Sequence, residues 1–514
     1  MKTKSPIVRF WRNVLNAVGD PLRRMRHEAE LRRGKITPEE LAHAANSWWG
    51  DDKRWYPAGC EPRKNNKVTP LVDGEQYFAA IESAMSAAES HIFIAAWILT
   101  PFFPLTHPDD VRMLEQSELV NVLAEAAKRG VVIRILIWSG ARLVRQPTEE
   151  MAEQMIAHVK LRAPNADIAI LFDHGAKITH TIHEKSLCVD GRVGFVSGMD
   201  FTTLEGDRWD TTLHPLRLGQ SWHDAGFMLE GEIALDVDDH FRKRYRATEE
   251  HQKLPDARLP LPLSRREFTE TQEAQLVQTM PGGIYPFEQD GEYSILHVYL
   301  EAIHAAKRFI YIENQFLWSP YITDALKEAI TRNAGKPFRI VVVLPAHADA
   351  GKLDNDQHVE VLRNFDESEQ IFHAFTLYTC GVSAGLSPFR AAPVYLHAKI
   401  MIVDDEWVTI GSANLNDRGL IRDVELNVVV KNTETARNLR VALWGEHLRT
   451  PEADIEKLDP IDTIDTAWIA HAARNKAIMA QGNAPLLSAV HRYETGHMPG
   501  TWLLEQLEDV VIEH

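Results

Sequence analysis

Cysteine is scarce. The 514 residues hold three, Cys60, Cys188 and Cys380, widely spaced and odd in number. That argues against a disulfide framework or a zinc site. Long apolar runs are missing as well. No stretch reaches the ~18 residues a membrane-spanning helix needs, and residues 92–99 are strand-sized. The N-terminus lacks the apolar core and small-residue cleavage site of a secretory leader. Synthesis in a reducing cytoplasm is expected, with signal-independent export left open. Positive charge is in deficit: 56 Lys and Arg against 73 Asp and Glu, a net −17. Residues 1–35 alone hold ten basic and three acidic residues, so the remainder carries −24. An acidic body opposes nonspecific nucleic-acid binding, and no nucleic-acid partner is expected.

What is present fits a soluble globular protein, with 45% hydrophobic and 25% charged residues. The length exceeds one core and predicts packed units. Residues 1–70 read as a basic, partly helical segment. Within it, residues 7–22 suit either an amphipathic helix on anionic lipid or a partly ordered tail. Trp48, Trp49, Trp55 and Tyr56 read as packing residues.

One chemical word is written twice. His183-Glu184-Lys185 leads to Asp190, and His397-Ala398-Lys399 leads to Asp404. Each Asp is followed by a glycine-bearing turn. The first holds Ser197, Gly198, Met199 and Asp200; the second holds Gly411, Ser412, Ala413 and Asn414. The repeat extends upstream, where AAESHIFIAAWI (87–98) parallels AAKRFIYIENQF (305–316). Each stretch reads as a helix end running into a strand, and each leads to a further apolar strand, at 131–137 and 338–344. Strands alternating with helices predict an α/β fold: two similar halves, each a mixed central sheet flanked by helices, related by a pseudo-twofold axis with one shared active site. The halves are drawn at 71–250 and 285–450. The Pro- and Gly-rich segment 251–284 reads as their linker, and 451–514 as a helical cap.

The duplicated word resembles the signature of the phospholipase D superfamily, H-x-K-x-x-x-x-D-x-x-x-x-x-x-G-S-x-N. The second copy matches it at His397, Lys399, Asp404, Gly411, Ser412 and Asn414; the first departs from it at Ser197, Gly198 and Asp200. The stretch 310–316 and Trp222-His223-Asp224 resemble eukaryote-type members. The resemblance implies that a carboxylate downstream of each motif orients a histidine. The matching positions are Asp224 and Glu425, with Asp423 a rival to Glu425. It also implies that His183 is the nucleophile and His397 the general acid, an order the residues alone leave open.

The chemistry suits the residues. In a strand, positions two apart face one way, so each His projects beside its Lys. Two lysines can neutralise a phosphodiester without a metal. One neutral imidazole can attack phosphorus while a second, protonated, gives its proton to the leaving oxygen. Asp190 and Asp404 have the opposite parity and fall at turns, so a structural role is expected for them, and for Gly198, Asp200 and Gly411. Asn414 and Ser412 are expected to touch substrate. An ionised Asp200 cannot copy Asn414's role. Glu313 and Asn314 either line the site or form a buried structural pair. The Asp-rich stretch 349–356 lacks EF-hand spacing and reads as a solvated loop. No cofactor or metal is called for. The leading expectation is a phospholipase D acting on glycerophospholipid at a membrane surface. A cardiolipin-synthase-like phosphatidyl transferase and a phosphodiesterase acting on nucleic acid are the alternatives.

Overall fold

Each half opens the same way: a strand, a helix, then a wholly buried strand. The computed structural model describes residues 60–496, apart from 108–109, 141–148, 174–179, 204–205, 217–219, 265–267, 269–271, 349–350, 369, 384–385 and 482–483. The readings made for 7–22 and for Trp48, Trp49, Trp55 and Tyr56 fall outside it, as does the end of the expected cap.

The first half runs β1 (Arg63–Val72), α1 (Asp73–Ser86), β2 (His91–Ala96), α2 (Val111–Gln116), α3 (Leu119–Lys128), β3 (Val132–Trp138), α4 (Glu149–Arg162), β4 (Ile168–Asp173), β5 (Lys185–Val189), β6 (Val193–Ser197), β7 (Ser221–His223), β8 (Ala225–Gly231) and α5 (Glu232–Gln252). The second runs β9 (Gln272–Met280), β10 (Glu292–Tyr293), α6 (Ser294–Ala305), β11 (Phe309–Asn314), α7 (Pro320–Arg332), β12 (Arg339–Val343), α8 (Lys352–Phe365), β13 (Phe372–Ser383), β14 (Leu386–Leu396), β15 (Lys399–Val403), β16 (Trp407–Gly411), β17 (Glu425–Lys431) and α9 (Thr433–Leu448). Short helical turns follow, then α10 (Ile469–Gln481) and β18 (Val490–Arg492).

Strand order makes the duplication explicit. The first sheet is ordered β4-β3-β2-β5-β6-β8-β1, with β2, β3 and β4 parallel and the other pairings antiparallel. The second is ordered β13-β12-β11-β15-β16-β17-β9 with the same senses. β1 meets β9 through Arg63–Ala274 and Asn66–Gln272 and joins the two sheets. β2 and β11 are buried along their whole length. Helices flank the sheets, and a core shared by both halves packs Phe93, Leu136 and Val196 with Ile400, Val408 and Leu426 and takes in Phe241 of α5 and Trp444 of α9.

Four expectations need correction. The boundary drawn between 70 and 71 falls inside β1, so the first half begins within the segment read as basic and partly helical. The segment 251–284, read as a linker, contains β9, an integral strand between β1 and β17. Its sequence QEAQLVQTM hides this because its glutamines are bonded inside the fold; Gln275 donates to the Cys60 carbonyl and Gln278 to Glu292. The C-terminal region is helical but also supplies β18, which pairs antiparallel with β13. The Asp-rich stretch is no loop from residue 352 onward: it opens α8, where the buried Lys352 pairs with Asp356.

Candidate functional site

The two motif turns are built alike. Asp190 and Gly191 have φ of 60° and 67°, and Asp404 and Asp405 both have φ of 56°. These consecutive left-handed residues make tight three-residue hairpin loops, each closed by one backbone hydrogen bond: Arg192 N–H to the Val189 carbonyl and Glu406 N–H to the Val403 carbonyl, both 2.9 Å. Each Asp side chain then reaches the start of the neighbouring strand. Asp190 accepts from the backbone N–H groups of Glu89, Ser90 and His91 at 2.7–2.9 Å. Asp404 accepts from Lys307, Arg308 and Phe309 at 2.7–2.8 Å. Both carboxylates close the ends of β2 and β11.

The histidines precede their strands rather than standing within them: β5 begins at Lys185 and β15 at Lys399. Their position comes from the opposite half. Ile182 forms a parallel bridge with Val424, and the His183 N–H donates to the Val424 carbonyl at 2.9 Å. β14 runs parallel to β7 with Leu396 opposite His223, and the His397 N–H donates to the His223 carbonyl at 2.8 Å. In parallel register, the next residue on each chain shares a face. That sets His183 beside Glu425 and His397 beside Asp224.

The side chains follow. His183 Nδ1 lies 2.9 Å from Glu425 Oε1, and His397 Nδ1 lies 2.7 Å from Asp224 Oδ2. Each histidine is therefore held by a carboxylate from the other half, a crossing the sequence does not reveal. The carboxylates are buried, whereas the imidazoles keep 14% and 10% side-chain exposure, so Nε2 of each is left for a ligand. Asp423, the rival to Glu425, is engaged elsewhere. It accepts from the Thr181 N–H and pairs with Arg418.

The lysines are held differently. Lys185 lies 3.3 Å from Asp200 Oδ2 and 5.2 Å from the centre of the Trp97 ring. Lys399 donates to Gln315 Oε1 at 3.3 Å, and each lysine also donates to the carbonyl of its own motif histidine. Asp200 Oδ1 accepts from the N–H groups of Trp97 and Ile98. Asn414, its counterpart, keeps Oδ1 buried without a hydrogen-bond partner. Ser412 does not face a ligand as expected. Its hydroxyl donates to Glu425 Oε2 and accepts from the Leu426 N–H, so it braces the carboxylate. Gly198, at the equivalent place, leaves room: a Cβ there would lie 2.8 Å from both Asp224 oxygens. A Cβ at Gly411 would lie 2.2 Å from Asn427 Oδ1. Glu313 and Asn314 prove to be buried structural groups. Glu313 accepts from His223 and His447, and Asn314 Oδ1 accepts from the Phe316 and Leu415 N–H groups.

One cation escaped the sequence reading. Arg208 is buried with its guanidinium 4.0 Å over the Trp222 ring, and that ring lies 4.9 Å from His397. It belongs to no motif, and only proximity in the fold identifies it.

Electrostatics bind the group together. Burial, then the charges of Lys185 and Lys399, push His183 well below the usual imidazole range. Burial, Lys399 and Arg208 do the same to His397. Burial pulls Lys399 down to about 7 against the attraction of Asp224. Lys185 is also lowered by burial, with Asp200 opposing. Burial raises Asp224 to about 7 and Glu425 well above the carboxylate range, against the lysine charges. Three cations over two neutral imidazoles make a site that a phosphate anion would complete. Among the described residues, the side-chain groups with metal-ligating chemistry lie behind Asp224, centred on His223. No helix among the described residues is long and apolar enough to cross a membrane.

Comparison with known proteins gives the family. A family model described as "Cardiolipin synthase, PLD-like domain" matches residues 81–207 and 299–445, more than half of the chain and one segment in each half. Phospholipase D A of Dictyostelium discoideum is 26% identical over 477 residues, covering 75% of this chain and 36% of that protein. Phospholipase D2 of Bos taurus is 26% identical over 496 residues, covering 74% and 51%. Cardiolipin synthase A of Pseudomonas syringae pv. syringae is 26% identical over 401 residues, covering 76% and 71%. The chain thus spans about a third of one of these phospholipases D and half of the other. With a matching segment in each half and each motif histidine bonded to a carboxylate of the opposite half, the chain belongs to the phospholipase D superfamily.

Proposed function

We propose that this chain is a phospholipase D that hydrolyses glycerophospholipids to phosphatidic acid and a free head-group alcohol through a phosphohistidine. The observation that carries the reading is the crossed pair of dyads, His183–Glu425 and His397–Asp224, beside two lysines. With each Nδ1 engaged, Nε2 is the reactive nitrogen. His183 Nε2 attacks phosphorus. The bond to the head-group oxygen breaks, and that oxygen takes a proton from His397 Nε2. Water then attacks the phosphohistidine, gives its proton to His397, and releases His183. Lys185, Lys399 and Arg208 neutralise the phosphoryl oxygens as charge develops. An arriving phosphodiester anion favours the charged form of Lys399 and a protonated His397, both disfavoured in the empty site.

The chemical test follows from the covalent step. Any small hydroxyl that reaches the phosphorus should release the enzyme, so added ethanol should divert product from phosphatidic acid to phosphatidylethanol. Two displacements give net retention at phosphorus. Mass spectrometry of products from mixed phospholipids, and separately from single-stranded DNA, decides the substrate class. DNA cleavage with intact lipid would overturn the reading, and inversion on a phosphorus-chiral substrate would remove His183 as nucleophile. A second reading, transfer to a lipid alcohol, is favoured by the cardiolipin-synthase description of the matching family and by the 71% coverage of the Pseudomonas relative. Phosphatidylglycerol as sole lipid separates the two: cardiolipin would support transfer, and phosphatidic acid with glycerol would support hydrolysis.

A further inference from the structure

Behind Asp224 lies a polar cluster that phosphoryl transfer does not use. Asp73 opens α1, His214 sits in the loop before β7, His223 ends β7, and Glu446 lies on α9. Their side chains are at most 4% exposed. His223 Nδ1 is 2.9 Å from Asp73 Oδ1 and 3.1 Å from Glu446 Oε1. His214 Nε2 is 3.5 Å from Asp73 Oδ2 and 3.0 Å from Glu446 Oε1. Corners of a tetrahedron around a zinc ion, with bonds of about 2.0–2.1 Å, stand roughly 3.3–3.4 Å apart. The separations from Glu446 Oε1 to His214 and His223, 3.0 and 3.1 Å, and from His214 to Asp73 Oδ2, 3.5 Å, lie near that edge, and all the donors lie within 4.8 Å of one another, so side-chain adjustment would bring them around one ion.

Two further observations point to a ligand. Asp73 Oδ2 and His223 Nδ1, two of the donor atoms, are buried and lack an aligned hydrogen bond, despite the short distances. Asp73 uses Oδ1 to accept from the Asp224 N–H, which leaves Oδ2 over. Each imidazole also turns its outer nitrogen to a carboxylate outside the cluster. His223 Nε2 bonds Glu313 at 2.8 Å, and His214 Nδ1 lies 3.4 Å from Asp210. That carboxylate–imidazole arrangement is the usual support of a metal-bound histidine.

We propose that Asp73, His214, His223 and Glu446 hold one divalent transition-metal ion, zinc by its ligand set, as a structural centre of this fold. Two imidazoles and two carboxylates suit zinc, and the two carboxylates balance its charge. The centre draws together α1, the loop before β7, β7 and α9, which come from both halves. It lies one residue from Asp224, whose carbonyl accepts from the Asp73 N–H at 2.8 Å. The His223 carbonyl in turn holds the His397 N–H. The ion contacts no reacting atom and acts by positioning.

The rival arrangement fills the cluster with protons alone. Metal analysis of the intact chain, purified without chelator, distinguishes them. About one zinc per chain should survive dialysis, and cobalt-refolded protein should show the visible absorption of a four-coordinate site. His214→Ala and Glu446→Gln should each lose that metal and its spectrum. If those variants fail to fold, stoichiometry and the cobalt spectrum of the unmodified chain still decide. A chain that carries no zinc as isolated and takes none up on refolding with zinc overturns the proposal. So does a folded His214→Ala protein that keeps the same zinc content. Turnover of a soluble phosphodiester, measured in parallel, tests the hydrolase reading separately, because either result can hold without the other.

Discussion

The two halves share a skeleton and differ in what surrounds each lysine. Asp190 and Asp404 make matching sets of three backbone hydrogen bonds, and each histidine takes its carboxylate from the opposite half. Around the lysines the match ends. Lys185 has an ion-pair partner in Asp200; Lys399 has Gln315, and Asn414 stands where Asp200 would. Behind the strands they differ again. Glu184 joins Arg244, His240 and Asp173 in a buried ionic network, while its counterpart Ala398 lies in the apolar core. Geometry set by the backbone is kept in duplicate, and charge is not. Two equal sites would leave the order of attack undecided; the different partners of Lys185 and Lys399 make the halves unequal.

The strongest break of the comparison is to remove one imidazole at a time. His183→Ala and His397→Ala should each lower turnover of phospholipid by about 10³-fold or more, since nucleophile and acid act as a unit. They should part company on a substrate with a good leaving group. A nitrophenyl phosphodiester needs no acid, so His397→Ala should still release one nitrophenol per site and retain labelled phosphate on His183. A burst in His183→Ala instead would exchange the two roles.

Next comes the crossing itself. Glu425→Gln should cost about 10–100-fold through His183, and Asp224→Asn the same through His397. The crossing is read from the burst substrate. Glu425→Gln should slow phosphorylation of His183, and Asp224→Asn should leave the burst and slow the later release by water. If Asp224→Asn slowed the burst instead, the carboxylates would serve the histidines of their own halves.

Much of this was legible in the sequence, for a physical reason. The motif spacing encodes strand parity and turn position, which are local, so the strands after each Lys and the turns at Asp190 and Asp404 could be read directly. The helix-strand repeat made the two α/β layers readable. Contacts across the halves could not be read. The pairing of His183 with Glu425 depends on a parallel bridge between Ile182 and Val424, far apart in the chain. Arg208 has no motif. Ser412 looked like a phosphate donor because serine in a glycine-bearing turn often is one; its neighbour on the sheet, Glu425, uses it instead. β9 was hidden by glutamines whose partners lie in other segments.

A smaller effect sharpens the difference in charge. Lys399 is pulled down to about 7, so in the free enzyme its cation is present below that pH and lost above it. The alkaline limb of kcat/KM should therefore fall near pH 7, because that ratio reports groups of the free enzyme. Asn414→Asp should give the second half the carboxylate that the first half has. It should raise that limb by about one pH unit, as a nearby opposite charge does, and weaken substrate binding by repelling phosphate. Asp200→Asn should remove the carboxylate that opposes the lowering of Lys185 and move Lys185 further down. Profiles measured on a soluble phosphodiester from pH 5 to 9 check both; no movement in either variant would mean that the lysines do not set the limb.

The smallest effect on chemistry should come from the feature that the halves share most closely. Asp190 lies in a left-handed turn, and its two oxygens accept three N–H groups at the start of β2. Asparagine tolerates the same backbone and keeps one acceptor oxygen, so Asp190→Asn retains the turn. Oδ1 can still accept from Ser90 and His91, but the Glu89 N–H would face an amide donor. Losing that charge-assisted bond should cost about 1–3 kcal/mol of stability. The cost falls on the far end of the strand, since His183 takes its place from Val424 and Glu425 rather than from Asp190. A lower melting temperature with turnover per folded molecule within about threefold is the expected result. An Asp190→Asn protein with an unchanged melting temperature and no turnover would give the motif aspartate a direct part in the chemistry, and Asp404→Asn should then behave the same way.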